Sequence, residues 1–289
     1  MERDEQTRES ILSTGILEAE PKGLLDFARD FKDGVSSNFK SIASEPGVEV
    51  YQSNDDYVVS VDLAAGASLD ILQGESVESG KKSVYGGPNP DFKRMSGDEA
   101  LAKERKTFPN AVCVVNAEFF ANFNRTAVPL AFSLREDGTV LSEGFAGIAK
   151  HDGNRLTLAI AEHSARIIPF NNNKIDEFRN LKESNALVSL SPRVNIDGSA
   201  EAKIGRTFLG LGNPDANGNY TRVLIFGSKS SSQAHAELTL RRFGAGPTIM
   251  LDGGSSSMMI WKNRHLVDTS RTVPSFLAVI PAQKKQIQE

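Results

Sequence analysis

Short apolar runs bounded by turn-forming residues recur along most of the chain, and their length and spacing predict β-strands. The runs are rich in valine, isoleucine and leucine, with glycine, proline, asparagine or aspartate between many of them. The predicted strands span residues 48–52, 57–63, 69–72, 130–134, 139–141, 156–161, 186–190, 222–226 and 276–280. Asp137-Gly138, between two of these runs, favours a tight hairpin turn. The pattern therefore predicts mixed, largely antiparallel sheets.

Two segments place a helix in front of a buried strand, and they share one plan. In the first, Ser96 and Glu99 have the spacing of a capping box, which predicts a helix that ends near Thr107. The apolar strand 111–115 follows and leads into the polar and aromatic segment 116–120. The first segment thus delivers polar residues directly after a buried strand.

The second segment repeats this order of elements. A helix is predicted over residues 232–243, and Gly244 suits a left-handed cap at its end. The strand 248–251 then leads into the loop 252–257. In open sheets, ligands bind outside the carboxyl ends of the strands. If the two apolar strands are parallel neighbours, the two following loops are therefore expected to form one site.

Together these elements predict an α+β fold, with a few packed helices on the sheets of a single compact catalytic domain. The domain is expected over residues 46–282, because Pro46-Gly47 ends a charged stretch. Residues 1–45 carry many charges and only short apolar clusters, which indicates an arm that is partly disordered or forms short helices. Residues 283–289 are a polar tail.

The charge of the chain limits its partners. A net charge of −4 at pH 7 and a pI near 5.7 give no electrostatic reason to expect nucleic acid. No run reaches the ~20 apolar residues of a membrane span, and no apolar segment follows the charged N-terminus as in a signal peptide. The protein is expected in the cytoplasm if this chain is complete, and in the periplasm or outside the cell if a signal was removed.

Metal and thiol chemistry have little support in the sequence. The one cysteine, Cys113, lies inside an apolar run, which is typical of a core residue. The four histidines are spread along the chain, and none forms the spaced pair of a zinc site. We therefore expect no metal and no cofactor.

The strongest local signal lies after the strand 248–251. Asp252 follows this strand, where a buried carboxylate is costly unless it is hydrogen-bonded or paired. Gly253 and Gly254 let the backbone approach an anion and present N–H groups to it. Ser256 and Ser257 add hydroxyl donors. These residues indicate a ligand site, although a tight turn in which the aspartate binds its own backbone fits the same sequence.

The segment after the first strand supplies a second set of candidates. Asn116 and Glu118 are two residues apart, so they face the same side if the backbone is extended. Phe119 and Phe120 either wall a sugar ring or belong to the core.

A phosphate-bearing substrate also needs local basic groups. Arg206, followed by Thr207 at the start of a predicted strand, is a candidate because a guanidinium binds phosphate through paired hydrogen bonds. Arg193 is a second, less specific candidate. The alternative for both arginines is an ordinary exposed or salt-bridged side chain.

The order of the motifs along the chain carries more information than any one of them. They are Pro46-Gly47-Val48, the strand end Asp62-Leu63, Asn116 to Phe120, Arg206-Thr207, Glu237-Leu238, Leu251 to Ser257 and Val273-Pro274. In this order and approximate spacing, residues 46–280 resemble the phosphodiester glycosidase family. The chain departs from the usual family pattern at Ala117-Glu118, where small residues are common, and at Ser255, which replaces a third glycine.

The resemblance implies a hydrolase that cleaves the bond between the anomeric carbon of a sugar and a phosphate. The substrate would be a small-molecule or glycan phosphodiester, with an α-linked N-acetylhexosamine or a related sugar. Asp252 would be the central carboxylate, and Glu118 an optional second acid or base. The implied substrate-binding residues are Asn116, Arg193, Arg206, Thr207, Gly253, Gly254, Ser256 and Ser257.

Two other functions fit the sequence. One is a non-catalytic module that binds a carbohydrate or a nucleotide sugar, with Glu118 and Ser255 as signs of lost activity. The other is an ordinary glycoside hydrolase whose substrate lacks phosphate, which would need Glu118 and Asp252 as a working carboxylate pair.

Overall fold

The described part of the chain consists mostly of short strands. The structure is a computed structural model, and it describes residues 38–121, 124–171 and 173–283. The strands are β1 (Lys40–Glu45), β2 (Val48–Ser53), β3 (Asp56–Asp62), β4 (Ser68–Gln73), β5 (Ser76–Val77), β6 (Asp91–Lys93), β7 (Cys113–Asn116), β8 (Ala127–Pro129), β9 (Leu134–Glu136), β10 (Thr139–Ser142), β11 (Arg155–Ile160), β12 (Ala165–Pro169), β13 (Asn185–Leu190), β14 (Ile204–Pro214), β15 (Tyr220–Ser231), β16 (Thr248–Met250), β17 (Met259–Trp261), β18 (Arg264–Val267) and β19 (Ser275–Ile280). The helices are α1 (Gly97–Thr107), α2 (Ile175–Arg179) and α3 (Gln233–Arg242), and 3-10 turns lie at Ile196–Gly198 and Gly254–Ser256.

These elements place the protein in a largely β class rather than the predicted α+β class. The expected antiparallel character of the sheets is confirmed, since the strand pairs among the described residues run antiparallel. The helical contribution is smaller than predicted, and α2 has only 5 residues. Most apolar runs of this chain have the length of a strand, so pairing between strands determines the architecture.

The larger sheet has eleven strands and closes on itself. Its order is β1-β2-β3-β15-β12-β11-β13-β16-β14, and the β9–β10 hairpin joins it through β9. β14 also pairs with β15, with Phe208 opposite Phe226, so the strands from β15 round to β14 form a ring. β16 is one of the strands of this ring, and its Met250 pairs with Phe208 of β14. The closure fixes the direction of the loop that follows β16.

The second sheet has five strands in the order β18-β17-β7-β19-β4, and β5, β6 and β8 form a small third sheet. One cluster of buried aliphatic side chains draws on both larger sheets and includes Val115, Leu209, Val223 and Leu277. Complete burial of a side chain of this size contributes about 1.5–3 kcal/mol. This shared core therefore holds the two larger sheets together.

The two longer helices pack on the sheets through apolar faces. Ala100 and Leu101 of α1 lie in one buried cluster with Phe276 of the five-stranded sheet. Leu240 of α3 lies in another with Phe226 of the ring. Each helix covers the sheet that leads to one of the two candidate loops.

The local signals for caps and turns are confirmed. Ser96 Oγ accepts a hydrogen bond from Glu99 N at 3.3 Å, and a carboxylate oxygen of Glu99 accepts one from Ser96 N at 2.7 Å. Gly244, after α3, has φ +88°. Asp137 and Gly138, between β9 and β10, have φ +47° and +77°. These positions are fixed by chemistry within a few residues, and sequence patterns identify such positions well.

The start of the domain differs from its predicted position. Residues 40–45 were expected in the arm but form β1, and Pro46-Gly47 is the turn of the β1–β2 hairpin, with φ +72° at Gly47. β1 is largely polar and partly exposed, so apolar periodicity did not reveal it. The other arm residues, 1–37, and residues 284–289 of the predicted tail lie outside the described residues.

The predicted strand at residues 130–134 is replaced by β8 before it and β9 at its end. Between them, Leu130 makes a single bridge with Phe120, and Ala131 N donates to Phe119 O at 2.7 Å. The backbone after β8 thus binds the segment that follows β7 instead of extending a strand. This contact supports residues 116–120 from one side.

Neither a membrane-spanning helix nor a reactive thiol is found in the part of the chain that the structure describes. No described helix is long and apolar enough to cross a bilayer. Cys113 is buried in β7, and burial raises the pKa of its thiol to about 12. The thiol is therefore protonated at neutral pH and belongs to the core.

Candidate active site

The loop after β7 and the loop after β16 lie against each other. Asn116 Nδ2 donates to Asp252 O at 2.7 Å, and Asp252 N donates to Ala117 O at 3.0 Å. The loops were expected to meet because their strands are parallel neighbours. That reason was wrong, because β7 and β16 belong to different sheets. The loops meet because the five-stranded sheet packs on the closed ring, which brings the ends of both strands to one place.

The side chain of Asn116 hydrogen-bonds three residues from other parts of the chain. Its Oδ1 accepts hydrogen bonds from Thr207 Oγ1 at 2.7 Å and from Met258 N at 3.0 Å, while its Nδ2 binds the loop at Asp252. The side chain is only 1% exposed. Asn116 and Thr207 therefore lie behind the Asp252 loop and fix its position.

The loop is shaped by close backbone contacts. Gly254 has φ +61°, a left-handed conformation that a residue with a Cβ adopts only with strain. A Cβ at Gly205, at the start of β14, would lie 2.1 Å from Gly254 O. Gly205 leaves no room for a side chain and the conformation of Gly254 favours glycine, so the loop can lie directly against the strand that carries Arg206.

Asp252 is half-buried and combines opposing electrostatic influences. Burial raises the pKa of its carboxyl group to about 6, while hydrogen bonds from the Ser256 hydroxyl and Gly253 N and the charge of Arg271 lower it. The bond from Gly253 N to Asp252 Oδ1 measures 2.9 Å. With a pKa near 6, the Asp252 carboxyl group is mostly ionised at pH 7 and can accept a proton near that pH.

Glu118 is a fully buried acid near Asp252. Its side chain is 1% exposed, and neither carboxylate oxygen has a hydrogen-bond partner among the described residues. Burial, and then the charge of Asp252, raise the pKa of Glu118 well above its ordinary value. Both influences favour the protonated form of Glu118.

Arg206 lies in β14 and is 4% exposed. It donates to three backbone carbonyl groups, at Ser231 O (3.1 Å), Ala202 O (3.2 Å) and Ser199 O. Among the side chains that the structure describes, no carboxylate pairs with it, and burial lowers the pKa of its guanidinium. A buried positive charge held only by carbonyl groups favours an anionic ligand.

A cavity of about 320 Å³ joins these groups. Arg206, Asp252, Gly253 and Gly254 lie in its wall, together with Phe119 and apolar side chains from β14 and β16. The volume and the mixture of apolar surface with a few converging polar groups are typical of a small-molecule site. The guanidinium of Arg206 and the carboxylate of Asp252 therefore line the same cavity.

The serines of the loop and Arg193 do not line this cavity. Ser256 and Ser257 are buried, and Ser257 Oγ has no hydrogen-bond partner within the described part of the chain. Arg193 is exposed and does not line the cavity. The structure thus brings together all the predicted residues except Arg193.

Two arginines beside the loop were not predicted to bind substrate. Arg271 Nη1 donates to Ser255 Oγ at 2.8 Å, and its guanidinium carbon lies 5.2 Å from the centre of the Phe120 ring. Arg94 lies 5.5 Å from the same ring centre. Arg271 precedes the Val273-Pro274 motif by two residues, and this proximity was the one feature of the sequence that could have indicated it. Nothing in the sequence near Arg94 indicated a site.

Residues with metal-ligating side chains do not converge here. Within the described residues, no group of three or more histidine, cysteine, aspartate or glutamate side chains is arranged to hold a metal ion. The chemical groups that the site does offer are carboxyls, guanidiniums, hydroxyls and backbone amides.

A comparison with protein families gives a clear match. A family described as phosphodiester glycosidase matches residues 109–280, more than half of the 289-residue chain. This range contains both loops and Arg206. A comparison with curated proteins gives no match.

Comparison with solved structures gives distant similarities. The catalytic domain of zebrafish N-acetylglucosamine-1-phosphodiester alpha-N-acetylglucosaminidase, auto-inhibited by its pro-peptide, is 14% identical, with a TM-score of 0.50 over 85% of this chain and 82% of that one. A protein from Burkholderia pseudomallei is 12% identical, with a TM-score of 0.42 over 81% and 74% of the two chains. At such identities, the zebrafish match is a likeness of fold.

Proposed function

The chain belongs to the phosphodiester glycosidase family, and we propose that it hydrolyses a sugar-1-phosphodiester. Water would attack the anomeric carbon, and the bond from that carbon to the phosphate oxygen would break. The observation that carries this proposal is the cavity shared by Asp252 and the buried Arg206. An α-linked N-acetylhexosamine is the proposed sugar, by analogy with the reaction named for the zebrafish protein.

Asp252 is the proposed general base. Its pKa of about 6 leaves it mostly ionised at pH 7, so it can accept a proton from the attacking water. The hydroxide portion of the water bonds to the anomeric carbon, and the electron pair of the broken bond leaves with the phosphate. Asp252 then returns its proton to solvent. Hydrogen bonds from Gly253 N and the Ser256 hydroxyl keep the carboxylate in place.

Arg206 is the proposed ligand of the phosphate. Its carbonyl partners hold the guanidinium rigidly in the cavity wall, where it meets charge that develops on the leaving group. Gly253 and Gly254 lack side chains, so a phosphate can approach their backbone closely. Asn116 and Thr207 support this site from behind the loop rather than through direct contact.

Glu118 is the proposed second acid. Burial and the charge of Asp252 favour its protonated form, and that form can give a proton to the leaving oxygen or a hydrogen bond to the sugar. The phosphate monoester released from the diester is already a good leaving group, which makes this proton less important than the base. We therefore expect a smaller loss of activity from Glu118→Gln than from Asp252→Asn.

The test is release of sugar from a panel of α- and β-linked sugar-1-phosphodiesters, UDP-sugars and aryl glycosides. Turnover of phosphate-linked substrates alone is expected, and Asp252→Asn should reduce it about 10²–10⁴-fold. Asp55→Asn, an exposed aspartate in the β2–β3 turn, is the matched control and should keep full activity. Turnover of aryl glycosides alone, or unchanged activity in a folded D252N variant, would contradict the proposal.

One observation favours a second function, a module that binds a sugar or nucleotide sugar without cleaving it. Glu118 stands where the family often has a small residue, and its buried carboxyl group has no partner among the described residues. Saturable binding with no turnover across the whole panel would support this function.

A further inference from the structure

Two arginines from separate parts of the chain converge on one aromatic ring beside the Asp252 loop. Arg94 follows β6, and Arg271 lies between β18 and β19. Their guanidinium carbons lie 5.5 Å and 5.2 Å from the centre of the Phe120 ring. We propose that this pair is a second anion subsite and that the substrate is a glycosyl diphosphate, with its second phosphate on Arg94 and Arg271. This inference rests on the proposed function of the Asp252 site.

The pair is fixed next to the proposed reaction centre. Arg271 Nη1 donates to Ser255 Oγ at 2.8 Å, and Arg271 is close enough to Asp252 to lower the pKa of that carboxyl group. Arg94 Nε donates to Thr272 O at 2.9 Å, so it is tied to the residue that follows Arg271. The subsite and the cavity therefore meet at one loop, with Gly254 in the cavity wall and Ser255 bound to Arg271.

Arg94 and Arg271 add two guanidiniums beside the one that lines the cavity. A phosphodiester carries a single negative charge, and Arg206 in the cavity already opposes it. Arg94 and Arg271 repel each other, and burial together with Arg271 lowers the pKa of Arg94. An additional phosphate between the two guanidiniums would relieve this repulsion. Guanidinium groups suit it, because each binds phosphate oxygens through paired, directed hydrogen bonds.

The two adjacent phenylalanines divide the roles of the site. Phe119 lines the cavity and packs on Phe132 at a ring distance of 6.0 Å, so it can bound the sugar. Phe120 instead makes cation–π contacts with Arg94 and Arg271, which help to hold the guanidiniums in place. One short segment after β7 therefore forms part of both subsites.

Binding of inorganic ions tests the subsite without any turnover. Isothermal titration calorimetry of the full chain with pyrophosphate and with phosphate would give both affinities. Removing a guanidinium that hydrogen-bonds a charged group weakens binding about tenfold or more. Arg94→Met should therefore weaken pyrophosphate binding at least tenfold and phosphate binding much less. Arg94→Lys keeps the charge and should restore part of the loss, which separates a charge effect from misfolding.

Arg242→Met, an exposed arginine at the end of α3, is the matched control for net charge and should leave both affinities as in the wild type. Equal losses for the two ions in Arg94→Met, or the same loss in Arg242→Met, would overturn the subsite.

Turnover gives a second readout, the ratio of kcat/KM for a UDP-sugar to kcat/KM for the matching sugar-1-phosphodiester. Arg94→Met should lower this ratio about tenfold. If the wild type cleaves monophosphate diesters but shows no preference for pyrophosphate over phosphate, the diphosphate inference fails and the hydrolase proposal stands. If no substrate is cleaved but pyrophosphate binding depends on Arg94, the hydrolase proposal fails and the subsite stands.

Discussion

Two buried carboxyl sites in this protein have raised pKa values but opposite electrostatic surroundings. At the candidate active site, burial raises the pKa of Asp252 to about 6, and Arg271 opposes the rise. Between α1 and β4, burial together with Asp70 and the charge of Glu136 raises the pKa of Glu104 to about 8, against an opposing influence of Lys103. At the first site, hydrogen bonds from Ser256 and Gly253 and the charge of Arg271 oppose the rise, whereas at the second site neighbouring acids add to it.

The difference decides what each carboxyl group can do at pH 7. Asp252 is mostly ionised and can accept a proton. Glu104 is mostly protonated and donates a hydrogen bond to Asp70, which also accepts one from Asn185 Nδ2 at 3.1 Å. A raised pKa therefore does not identify an active site by itself. The neighbouring guanidiniums and the adjoining cavity distinguish the Asp252 site.

The largest expected effect separates the two sites by activity. Asp252→Asn removes the proposed base and should reduce kcat about 10²–10⁴-fold. The amide oxygen can still accept the bond from Gly253 N, so the fold should be kept. Glu104→Gln should leave kcat unchanged, because Glu104 has no contact with the cavity. Steady-state kinetics with circular dichroism would check both, and a kcat loss in E104Q would break the distinction.

Removing the guanidinium from the cavity should have the next largest effect. Arg206→Met should lower kcat/KM about 10–100-fold, since hydrogen bonds to charged groups contribute about 1.5–3 kcal/mol. Buried carbonyl groups also lose their donor in this variant, so thermal unfolding must be measured beside the kinetics. Arg206→Lys keeps the charge and should recover part of kcat/KM. Full activity in a folded R206M variant would remove Arg206 from the site.

A pH profile tests the role of Arg271 at the Asp252 site. The active form has Asp252 ionised, so kcat/KM should fall as pH decreases below about 6. Arg271 lowers the pKa of Asp252, and Arg271→Met should therefore move the acid limb of the profile to higher pH. The change would make Asp252 resemble Glu104. Arg242→Met is the control, and an acid limb at the same pH in R271M would show that Arg271 does not act on Asp252.

Local chemistry made part of the fold predictable. The capping box of Ser96 and Glu99, the Asp137-Gly138 turn and Gly244 each depend on a few adjacent residues, and each lies where the sequence indicated. The two loops were also expected to form one site, and the Asn116–Asp252 contact brings them together.

Pairing between distant segments was not predictable in the same way. Which sheet a strand joins depends on partners far along the chain, so the closure of β14 on β15 and the separate sheets of β7 and β16 were not foreseen. The same applies to Arg94 and Arg271, which are far apart in sequence and meet only at the Phe120 ring. Asn116 was expected at the substrate, but the packing of two sheets places it behind the loop.

The prediction with the smallest expected effect on activity concerns stability at the Glu104 site. The folded state raises the pKa of Glu104 from 4.5 to about 8, so it favours the protonated form. This contribution to stability is fully present below about pH 4.5 and is lost as pH rises towards 8. Glutamine cannot ionise, so Glu104→Gln should gain stability relative to the wild type as pH rises from 5 to 9. By linkage, a shift of this size corresponds to a gain of a few kcal/mol, and each kcal/mol corresponds to about 2–4 °C in Tm. Differential scanning calorimetry across this range would measure the gain.

Glu78→Gln, at an exposed position, serves as the control, and its Tm should follow that of the wild type. Parallel Tm curves for E104Q and the wild type would mean that Glu104 is ionised in the folded protein, and the contrast with Asp252 would disappear.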